Sequence, residues 1–373
     1  MLTASRSPAS RFRARDLSAP WRHIDVVLLG AVLGVVSMGI AMMFSATRHL
    51  TGGNGTFARH LVYVALGGGV MAGLSLVDYR RIADWWQLLY GVSLLFLIGV
   101  LTPLGSTVNG TKGWYQFGPV GIQPAELAKL ATIVAIAAFL GSVERVDLRR
   151  LLIALALLGV PVGLTLLQPD LGSALVFIVA GLGMLVAGGV RLRHVLVLVI
   201  VGVVAVFGIL RSDTLDQYQK DRLTSFVDPG QQSYNVQQAQ TAISSGGLTG
   251  YGFLDGPQTR GGFVPSQETD FIFTVAGEEL GFIGAGTLVL LLGVIIWRMW
   301  RTAQLAADSL GTLMCVGIMS MFLFHVFENV GMSLGIMPVT GIPLPFVSYG
   351  GSSLLTSFAA VGLVQSVHMH RFA

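Results

Sequence analysis

The chain has 373 residues, of which 53% are hydrophobic and only 11% charged, whereas an ordinary soluble domain carries roughly 25% charged residues. This composition excludes a soluble globular protein, because one compact core cannot hide so much apolar surface from water. The net charge of +4 is too small to indicate a nucleic-acid partner, and a single cysteine, Cys315, excludes an intramolecular disulfide.

Ten apolar runs are long enough to cross a bilayer, whose hydrocarbon core is spanned by about 20 residues of helix. They are Ile24–Ala46, Phe57–Val77, Ala83–Leu104, Pro124–Val143, Arg150–Leu167, Leu171–Gly189, Leu192–Leu210, Phe271–Trp297, Ser309–Met332 and Gly351–His368. The sequence therefore predicts an all-α integral membrane protein with about ten transmembrane helices. We assign residues 24–369 to one polytopic membrane domain, preceded by a basic segment, 1–23, and followed by a short tail, 370–373.

Arginines cluster at alternate ends of these runs, which sets the orientation by the positive-inside rule. Five precede the first run, and further basic residues fall on the same side, among them Arg80, Arg81, Arg149, Arg150, Arg298, Arg301 and Arg371. Both termini are therefore predicted to be cytoplasmic. The opposite side carries three longer segments, Gly105–Gln123, Arg211–Thr269 and Gly331–Tyr349, and function is expected there.

Two of these outer segments contain recognisable local patterns. Tyr234–Ile243, rich in Gln, Ala and Val, predicts a short interfacial helix, followed by glycine-rich turns. Met337–Tyr349 contains three prolines and cannot form a regular helix, because each proline removes a donor and restricts the residue before it. We expect a loop or re-entrant piece there.

Ionisable side chains inside apolar runs cost about 2.5–3.5 kcal/mol each near the bilayer centre, so each needs a partner, water or a function. Glu126 and Lys129 lie three residues apart on one helix face, which favours a structural ion pair. Asp170 and Asp270 each stand before a run, where capping is expected. Glu278 lies about 12 Å deeper if a helix begins at Asp270, and is expected to line a hydrated cavity or to meet Lys129. These groups predict one polar site that opens outward.

Other polar residues leave two interpretations open or indicate a structural role. The segment Gly350–Ser353 begins the last run, where it is either an anion-binding helix N-terminus or a tight packing turn. His325, inside an apolar run, is expected to be a hydrogen-bonded structural histidine, and His368 and His370 a solvated surface. HExxH, GxSxG and P-loop motifs are missing from the sequence, which excludes the usual zinc hydrolases, serine hydrolases and P-loop NTPases.

Several motifs, in chain order, together resemble the SEDS family of membrane proteins, which includes RodA, FtsW and SpoVE. They are Thr111–Trp114, Gln123–Lys129, Gln168–Gly172, Thr269–Phe273, Gly277–Gly281, Gly341–Pro345 and Ser348–Ser353. The compact length and short C-terminal tail look more like the elongation member, RodA, than the division member, FtsW. The chain departs from the family at Glu268, where a histidine is usual, and at Tyr251, where a basic residue is usual.

The resemblance implies a peptidoglycan glycosyltransferase that polymerises lipid II at the outer face of the bacterial cytoplasmic membrane during cell elongation. It implies a class B penicillin-binding protein, the transpeptidase, as partner. We assign Asp270 as the general base for the acceptor 4-hydroxyl. We expect the substrate to be bound by Lys112, Trp114, Glu126, Lys129, Asp170, Arg222, Ser348, Gly350, Gly351 and Ser352. A divalent cation, Mg²⁺ or Mn²⁺, is expected to bridge phosphate and a carboxylate, with ligands left unassigned.

Three alternatives remain open from the residues. A lipid II flippase is favoured by Glu278 and Glu279, because translocation needs polar groups along a path through the membrane. A non-catalytic scaffold for a transpeptidase would not need Asp270. A division-specific polymerase like FtsW would share the same chemistry and differ in its cellular role.

Overall fold

The computed structural model describes residues 23–50, 52–108, 110–118, 120–143, 146–211 and 234–372. Within these ranges six helices are long and apolar enough to cross a membrane, and two shorter apolar helices accompany them. The prediction of an all-α multi-pass membrane protein is therefore confirmed. The count of ten spans stays a prediction, as do the bounds of the N-terminal segment and the tail.

Most of the helices follow one another after short links, and two long described links lie at residues 100–123 and 334–350. The first half forms α1 (Val26–Thr47), α2 (Gly53–Leu76), α3 (Tyr79–Asp84), α4 (Trp86–Gly99), α5 (Pro124–Gly141), α6 (Leu148–Leu167), α7 (Leu171–Ala187) and α8 (Leu192–Arg211). The second half forms α9 (Tyr234–Ser245), α10 (Pro257–Gly261), α11 (Phe273–Glu279), α12 (Gly281–Leu305), α13 (Ser309–Ser333) and α14 (Gly351–Met369). Several helices begin at an aspartate whose carboxylate accepts a first-turn amide: Asp25, Asp147, Asp170 and Asp308.

A small antiparallel sheet follows α4. Its strands are β1 (Ser106–Val108), β2 (Thr111–Phe117) and β3 (Val120–Ile122), in that spatial order. Sequence reasoning left this segment as a loop, because strands of three to seven residues carry too little alternation to be recognised. The hydroxyl of Thr111 donates to the carbonyl of Pro169 over 3.4 Å, which holds the sheet against the α6–α7 link.

The last helix, α14, lies inside the bundle, and most of its residues are buried. It packs along α2 and also contacts α5, α12 and α13. A Cβ placed on Gly67 of α2 would lie 2.2 Å from the Phe358 ring, and one on Gly362 would lie 2.8 Å from the carbonyl oxygen of Met71. Small residues thus let α2 and α14 approach closely.

The helix ends form two faces. The basic face, which carries Arg80 and Arg298, joins the start of α1 to the end of α12, because Arg298 donates to Asp25 over 2.8 Å. It also joins α3 to α13, because Arg80 donates to Asp308 over 2.8 Å. The opposite, loop face carries the sheet and α9–α11. This alternation of helix ends agrees with the predicted threading of the chain.

The prediction for the two C-terminal histidines is wrong. His368 and His370 are 6% and 7% exposed, because α14 remains enclosed by its neighbours down to the basic face. The backbone carbonyl of Ser366 lies 2.9 Å from Nδ1 of His370. These rings therefore belong to the packed end of the bundle.

The predicted continuous span Phe271–Trp297 is broken. The chain leaves α11 at Leu280 and begins α12 at Gly281, whose φ is +64°. A Cβ on Gly281 would lie 2.3 Å from the backbone nitrogen of Gly250, so the loop that follows α9 fits against this break only because the side chain is absent. The predicted helix at Tyr234–Ile243 is confirmed as α9.

The proline-containing segment Met337–Tyr349 has no regular structure, as predicted, and part of it enters the bundle. Phe346 is 1% exposed, and its ring lies 5.8 Å from that of Phe322 and 5.0 Å from that of Phe358, between centroids. The segment therefore forms a re-entrant loop with an aromatic anchor, and Ile342, Leu344 and Val347 are buried with it in the core.

Candidate active site

The re-entrant loop and the start of α11 meet at Asp270. The side-chain amide of Asn329, on α13, donates to the carbonyl of Asp270 over 2.8 Å and to that of Ile342 over 2.9 Å. A Cβ on Gly341, whose φ is +74°, would lie 3.6 Å from Oδ2 of Asp270. Asp270 is half-buried. Its backbone is thus fixed from α13, while its carboxylate lies beside a residue without a side chain.

Three helix N-termini converge a short distance away, at Gln123. The backbone N–H of Gln123, just before α5, donates to Oγ of Ser352 in the first turn of α14 over 2.9 Å. Its side-chain amide donates to Oδ2 of Asp170, the N-cap of α7, over 2.9 Å. Oδ1 of Asp170 accepts the N–H of Ser173 over 2.8 Å, which confirms the predicted cap. The positive ends of three helices therefore point at one region of the loop face, which favours anions.

The first turn of α7 joins this region to Asp270. A Cβ on Gly172 would lie 3.0 Å from the carbonyl oxygen of Thr340 and 3.0 Å from the side chain of Ile342. The loop that carries Gly341 thus packs directly on the helix that Asp170 caps. The predicted convergence of Asp170 and Asp270 on one site is supported by these shared contacts.

The buried pair below this region is an ion pair, as predicted. Nζ of Lys129 lies 2.7 Å from Oε1 of Glu126 and 3.4 Å from Nε2 of His325, and the three side chains are almost fully buried. Nδ1 of His325 lies 2.7 Å from the carbonyl oxygen of Met321. Because that ring nitrogen must donate, Nε2 accepts from the ammonium. Lys129 is therefore enclosed by protein acceptors, and its charge acts on the site electrostatically rather than by direct contact with a ligand.

The charges of Lys129 and Glu126 affect the pKa of Asp170. Burial raises the pKa of Asp170 above its ordinary value, the Ser173 N–H and the Lys129 charge oppose that shift, and Glu126 adds to it. A carboxyl group whose charged form is disfavoured in a concave site is typical of functional sites, although structural networks produce the same shift.

A small apolar cavity of about 10 Å³ lies beside Lys129, between α5, α6 and α7. It is lined by Lys129, Thr132, Ile133, Leu158, Phe177 and Met184, among others. This volume is close to the minimum that one water molecule needs and is too small for a hydrocarbon chain.

Other predicted substrate-binding residues have protein partners. Nζ of Lys112 donates to the carbonyl of Leu101 over 2.8 Å, just beyond α4. Trp114 packs on β3, where a Cβ on Gly121 would lie 3.2 Å from its ring. Oγ of Ser348 accepts the N–H of Leu344 over 2.8 Å and closes a turn of the re-entrant loop. Their part in substrate binding stays a prediction, as does that of Arg222, which lies outside the described residues.

The glycines that begin α14 support the packing interpretation. A Cβ on Gly351 would lie 2.8 Å from the ring of Tyr63, on α2. Gly350 is the N-cap, and the first intrahelical bond runs from the N–H of Leu354 to its carbonyl. The amides of the first turn therefore have no intrahelical carbonyl to bond, as at every helix N-terminus. This turn is thus also compatible with anion binding.

Glu278 does not line a cavity or meet Lys129, which corrects the expectation from the sequence. Its carboxylate accepts the N–H groups of Gln258 and Thr259, over 2.5 and 3.0 Å, and the hydroxyl of Thr259 over 2.7 Å. It therefore caps α10 from outside that helix. Glu279 accepts from the hydroxyl of Ser45, on α1, over 2.5 Å. Both carboxylates are satisfied by the loop face and by α1, because the helix that was expected to carry them inward breaks after Glu279.

Sequence reasoning missed two groups near Asp270. Glu328 and Asn329 form a fully buried polar pair inside the apolar run of α13, and Oε1 of Glu328 accepts from the hydroxyl of Thr340 over 2.9 Å. Arg59 and His60 lie near the start of α2, close to the re-entrant loop. Polar pairs interrupting apolar runs were the available signal for both groups.

The side chains at the site can be compared with the ligands that a divalent cation requires. Within the described ranges, no three His, Cys, Asp or Glu side chains converge as a metal cage. Mg²⁺, however, is usually held by one or two carboxylates together with substrate phosphates and water. A half-buried carboxylate such as that of Asp270 fits that mode.

The chain is similar to known proteins along most of its length. "Peptidoglycan glycosyltransferase MrdB" of Escherichia coli K12 is 35% identical over 94% of this chain and 94% of its own length. "Peptidoglycan glycosyltransferase RodA" of Treponema pallidum is 32% identical over 92% of this chain and 97% of its own length.

Solved structures agree. A chain from a structure described as "Structural coordination of polymerization and crosslinking by a peptidoglycan synthase complex" superimposes with a TM-score of 0.80, at 32% identity over 94% of this chain and 98% of its own. The crystal structure of rod shape determining protein RodA from Thermus thermophilus gives a TM-score of 0.73, at 32% identity over 95% and 99%. A family model described as "Cell cycle protein", FTSW_RODA_SPOVE, matches residues 21–372, and the chain belongs to that family.

Proposed function

We propose that this protein is a peptidoglycan glycosyltransferase that polymerises lipid II into glycan strands during cell elongation. The observation that carries the proposal is the half-buried carboxylate of Asp270, which lies beside Gly341 of the re-entrant loop. That loop packs against the N-terminus of α7, which Asp170 caps. The names of relatives such as MrdB and RodA support the reaction class. We place the loop face on the outer side of the bacterial cytoplasmic membrane, because the basic face carries the arginines.

The proposed reaction joins two lipid-linked saccharides. The acceptor 4-hydroxyl gives its proton to the carboxylate of Asp270, its oxygen bonds to the donor's anomeric carbon, and the bond from that carbon to the diphosphate breaks. The diphosphate leaves with the electron pair. A positioned general base contributes about 10²–10⁴-fold, or roughly 3–5.5 kcal/mol. Glycosyl transfer from an activated diphosphate therefore needs one well-held carboxylate and stabilisation of the leaving anion.

The surrounding groups are suited to that anion. The N-termini of α5 and α7 at Gln123 supply positive potential, and Lys129 adds a fixed charge from below. Asp170 holds Gln123 and is available to acceptor hydroxyls. When present, Mg²⁺ or Mn²⁺ held by Asp270 and substrate phosphates would neutralise the leaving charge.

A class B penicillin-binding protein is the proposed partner. The support is the structural neighbour described as a peptidoglycan synthase complex that coordinates polymerization and crosslinking. A strand polymerase of this kind makes uncrosslinked glycan, so a transpeptidase is the enzyme class that must consume its product.

The test is polymerisation of labelled lipid II by purified protein, with products separated by length. Asp270→Asn keeps the shape and removes the base, and we expect about 10²–10⁴-fold less polymer. The matched control is Asp255→Asn, whose carboxylate is 65% exposed in the same loop region and pairs with Arg260. Undiminished polymer from Asp270→Asn, with folding confirmed, would contradict the assignment of the base.

The same protein in vesicles separates the alternatives. Translocation of lipid II without polymer would favour a flippase, although the structure removes its main support by pairing Glu278 and Glu279 with protein donors. Absence of both activities in the presence of the partner would favour a scaffold.

A further inference from the structure

His60 is a buried polar side chain without a protein partner. It is 0% exposed, and neither Nδ1 nor Nε2 has a hydrogen bond. Nε of the adjacent Arg59 is likewise buried and unpaired, although the residue as a whole is half-buried and one terminal nitrogen donates to Thr56 over 3.2 Å. A buried donor left unpaired destabilises the fold. Such groups are retained where a ligand, ion or water completes them.

These groups face the N-terminus of α14. The ring of His60 lies 6.5 Å, between centroids, from that of Tyr349, and the ring of Tyr63 lies 6.5 Å from Tyr349 on another side. The positive charge of Arg59 acts on the Tyr349 hydroxyl. Tyr349 immediately precedes Gly350, the N-cap of α14. A guanidinium, an imidazole and the first-turn amides of α14, which have no intrahelical acceptor, therefore lie around one tyrosine.

The cluster adjoins the proposed catalytic base. The backbone N–H of Tyr349 donates to the carbonyl of Glu268 over 2.8 Å, two residues before Asp270. The Glu268 carboxylate acts on the Tyr349 hydroxyl with the opposite sign to Arg59. A group bound here would lie next to Asp270, on the α2 side of the α14 N-terminus, whose other side contacts Gln123.

Two other lysines near the site, among the described residues, are already engaged. Lys129 is enclosed by Glu126 and His325, and Lys112 donates to Leu101. Arg59 has a fork of donors that matches phosphate geometry and is only partly used by Thr56. The reaction proposed above brings together two substrates that both carry a lipid-linked diphosphate, so it requires a second place for that anion.

We propose that Arg59, His60 and the first-turn amides of α14 form a subsite for the diphosphate of a lipid-linked substrate. The choice of ligand rests on the proposed function; the anion site itself rests on the unpaired donors. A diphosphate offers more acceptor oxygens than a phospholipid phosphodiester, and so suits a cluster with a guanidinium, an imidazole N–H, backbone amides and two tyrosine hydroxyls.

The test is binding of undecaprenyl diphosphate to the purified full chain in phosphatidylcholine nanodiscs, without lipid II and without turnover. We expect Arg59→Gln and His60→Leu each to weaken binding by about tenfold or more. Arg48→Gln, an exposed arginine at the end of α1 on the same face, is the matched control and should bind as the wild type does. Arg59→Lys should recover part of the loss.

The stability of His60→Leu separates binding from a structural role. Because the buried ring has no hydrogen bond to lose, the apo variant should melt at or above the temperature of the wild type, while its affinity falls. Unchanged affinity in both Arg59→Gln and His60→Leu would overturn the subsite. Equal competition by phosphatidylglycerol would overturn the assignment to diphosphate in favour of any lipid phosphate.

Failure of the proposed function gives a different result. A wild-type protein that binds undecaprenyl diphosphate through Arg59 but makes no polymer would contradict the polymerase and keep the subsite. Polymerisation that is insensitive to both substitutions would contradict the subsite alone.

Discussion

The basic face and the loop face both contain charged residues among apolar helices, but they satisfy those charges differently. On the basic face, Asp25 both caps α1 and pairs with Arg298, and Asp308 both caps α13 and pairs with Arg80. Each of these two carboxylates has a cation and a backbone amide. Such complete pairs hold helix ends together and leave little for a ligand.

On the loop face, carboxylates are held mainly by amides and hydroxyls, and several polar atoms lack partners. Unpaired buried atoms include Oε2 of Glu328, Oδ1 of Asn329 and both ring nitrogens of His60. These atoms lie around the re-entrant loop and Asp270. Unpaired atoms also occur toward the basic face, where the side-chain amide of Gln365 on α14 lacks a partner. The comparison therefore teaches that carboxylate–arginine pairs join helix ends on the basic face, whereas the unpaired atoms on the loop face surround the half-buried carboxylate of Asp270.

The largest expected effect on stability is at the buried ion pair of Lys129 with Glu126. This pair lies on the loop-face side, although most carboxylates there have no cation as partner. Lys129→Met leaves a buried carboxylate without its cation, and we expect a loss of about 3–5 kcal/mol in the free energy of unfolding. Thermal unfolding in detergent micelles measures it. The double variant Lys129→Met/Glu126→Gln should recover most of the loss, and a fully stable single variant would show that the pair is dispensable.

The next effect concerns the loop face itself. Glu278→Gln replaces one of the carboxylate oxygens that accept from Gln258 and Thr259 with a donor, and should destabilise α10 by about 1.5–3 kcal/mol. Hydrogen exchange of the amides at 257–261 reports this local opening. Asp255→Asn, at an exposed neighbour, serves as control. Unchanged protection in Glu278→Gln would show that α10 is held by other contacts.

A smaller effect is expected on the basic face. Asp308→Asn keeps an oxygen for the Gly311 N–H but loses the pair with Arg80, whose side chain is 33% exposed. Because solvent screens such a pair, the loss should be at most about 1 kcal/mol. Asp308→Ala also removes the cap and should cost about 1 kcal/mol more. Equal melting temperatures for the Asn and Ala variants would contradict the capping role.

The smallest effect is one of pH, and it has opposite signs on the two faces. Although burial opposes it, the amide of Gly311 and the contacts with Arg80 and Tyr79 lower the pKa of Asp308 below 3.8. Its ionised form therefore stabilises the fold above that pH, and the advantage over Asp308→Asn should vanish as pH falls through the folded pKa.

Asp170 should behave in the opposite way. Burial raises its pKa above 3.8, so ionisation costs the folded state stability as pH rises above 3.8 and through the folded pKa. Asp170→Asn, which can still cap α7, should therefore be relatively more stable near pH 7 and lose that advantage on acidification. Melting curves of both pairs of proteins across this range test the contrast. Parallel pH profiles for the two faces would contradict it.

Local features of the molecule were readable from the residues. Hydropathy predicted the membrane class, and three-residue spacing predicted the Glu126–Lys129 pair, because both depend on neighbours within one helix. Asp170 was recognised as a cap from its place before an apolar run. The prolines of Met337–Tyr349 excluded a helix for a reason that lies within each residue.

Contacts between distant residues were not readable in this way. Gln123 meets Ser352 from 229 positions away, and Ser45 meets Glu279 from 234. The break at Gly281 depends on where the loop after α9 packs, and it turned Glu278 from an expected cavity residue into a cap. Apolar patterning says which segments enter the membrane, but not which faces they present to one another.

The residues alone thus determined that this protein lies in a membrane, that its helices run in alternating directions, and which family motifs surround Asp270. These features follow from local hydropathy, charge and spacing. Only the tertiary structure decided which groups share a site: the convergence of three helix N-termini at Gln123 and the meeting of Arg59 and His60 with Tyr349. Those arrangements depend on close packing of small residues between helices, a three-dimensional fit that no local pattern records.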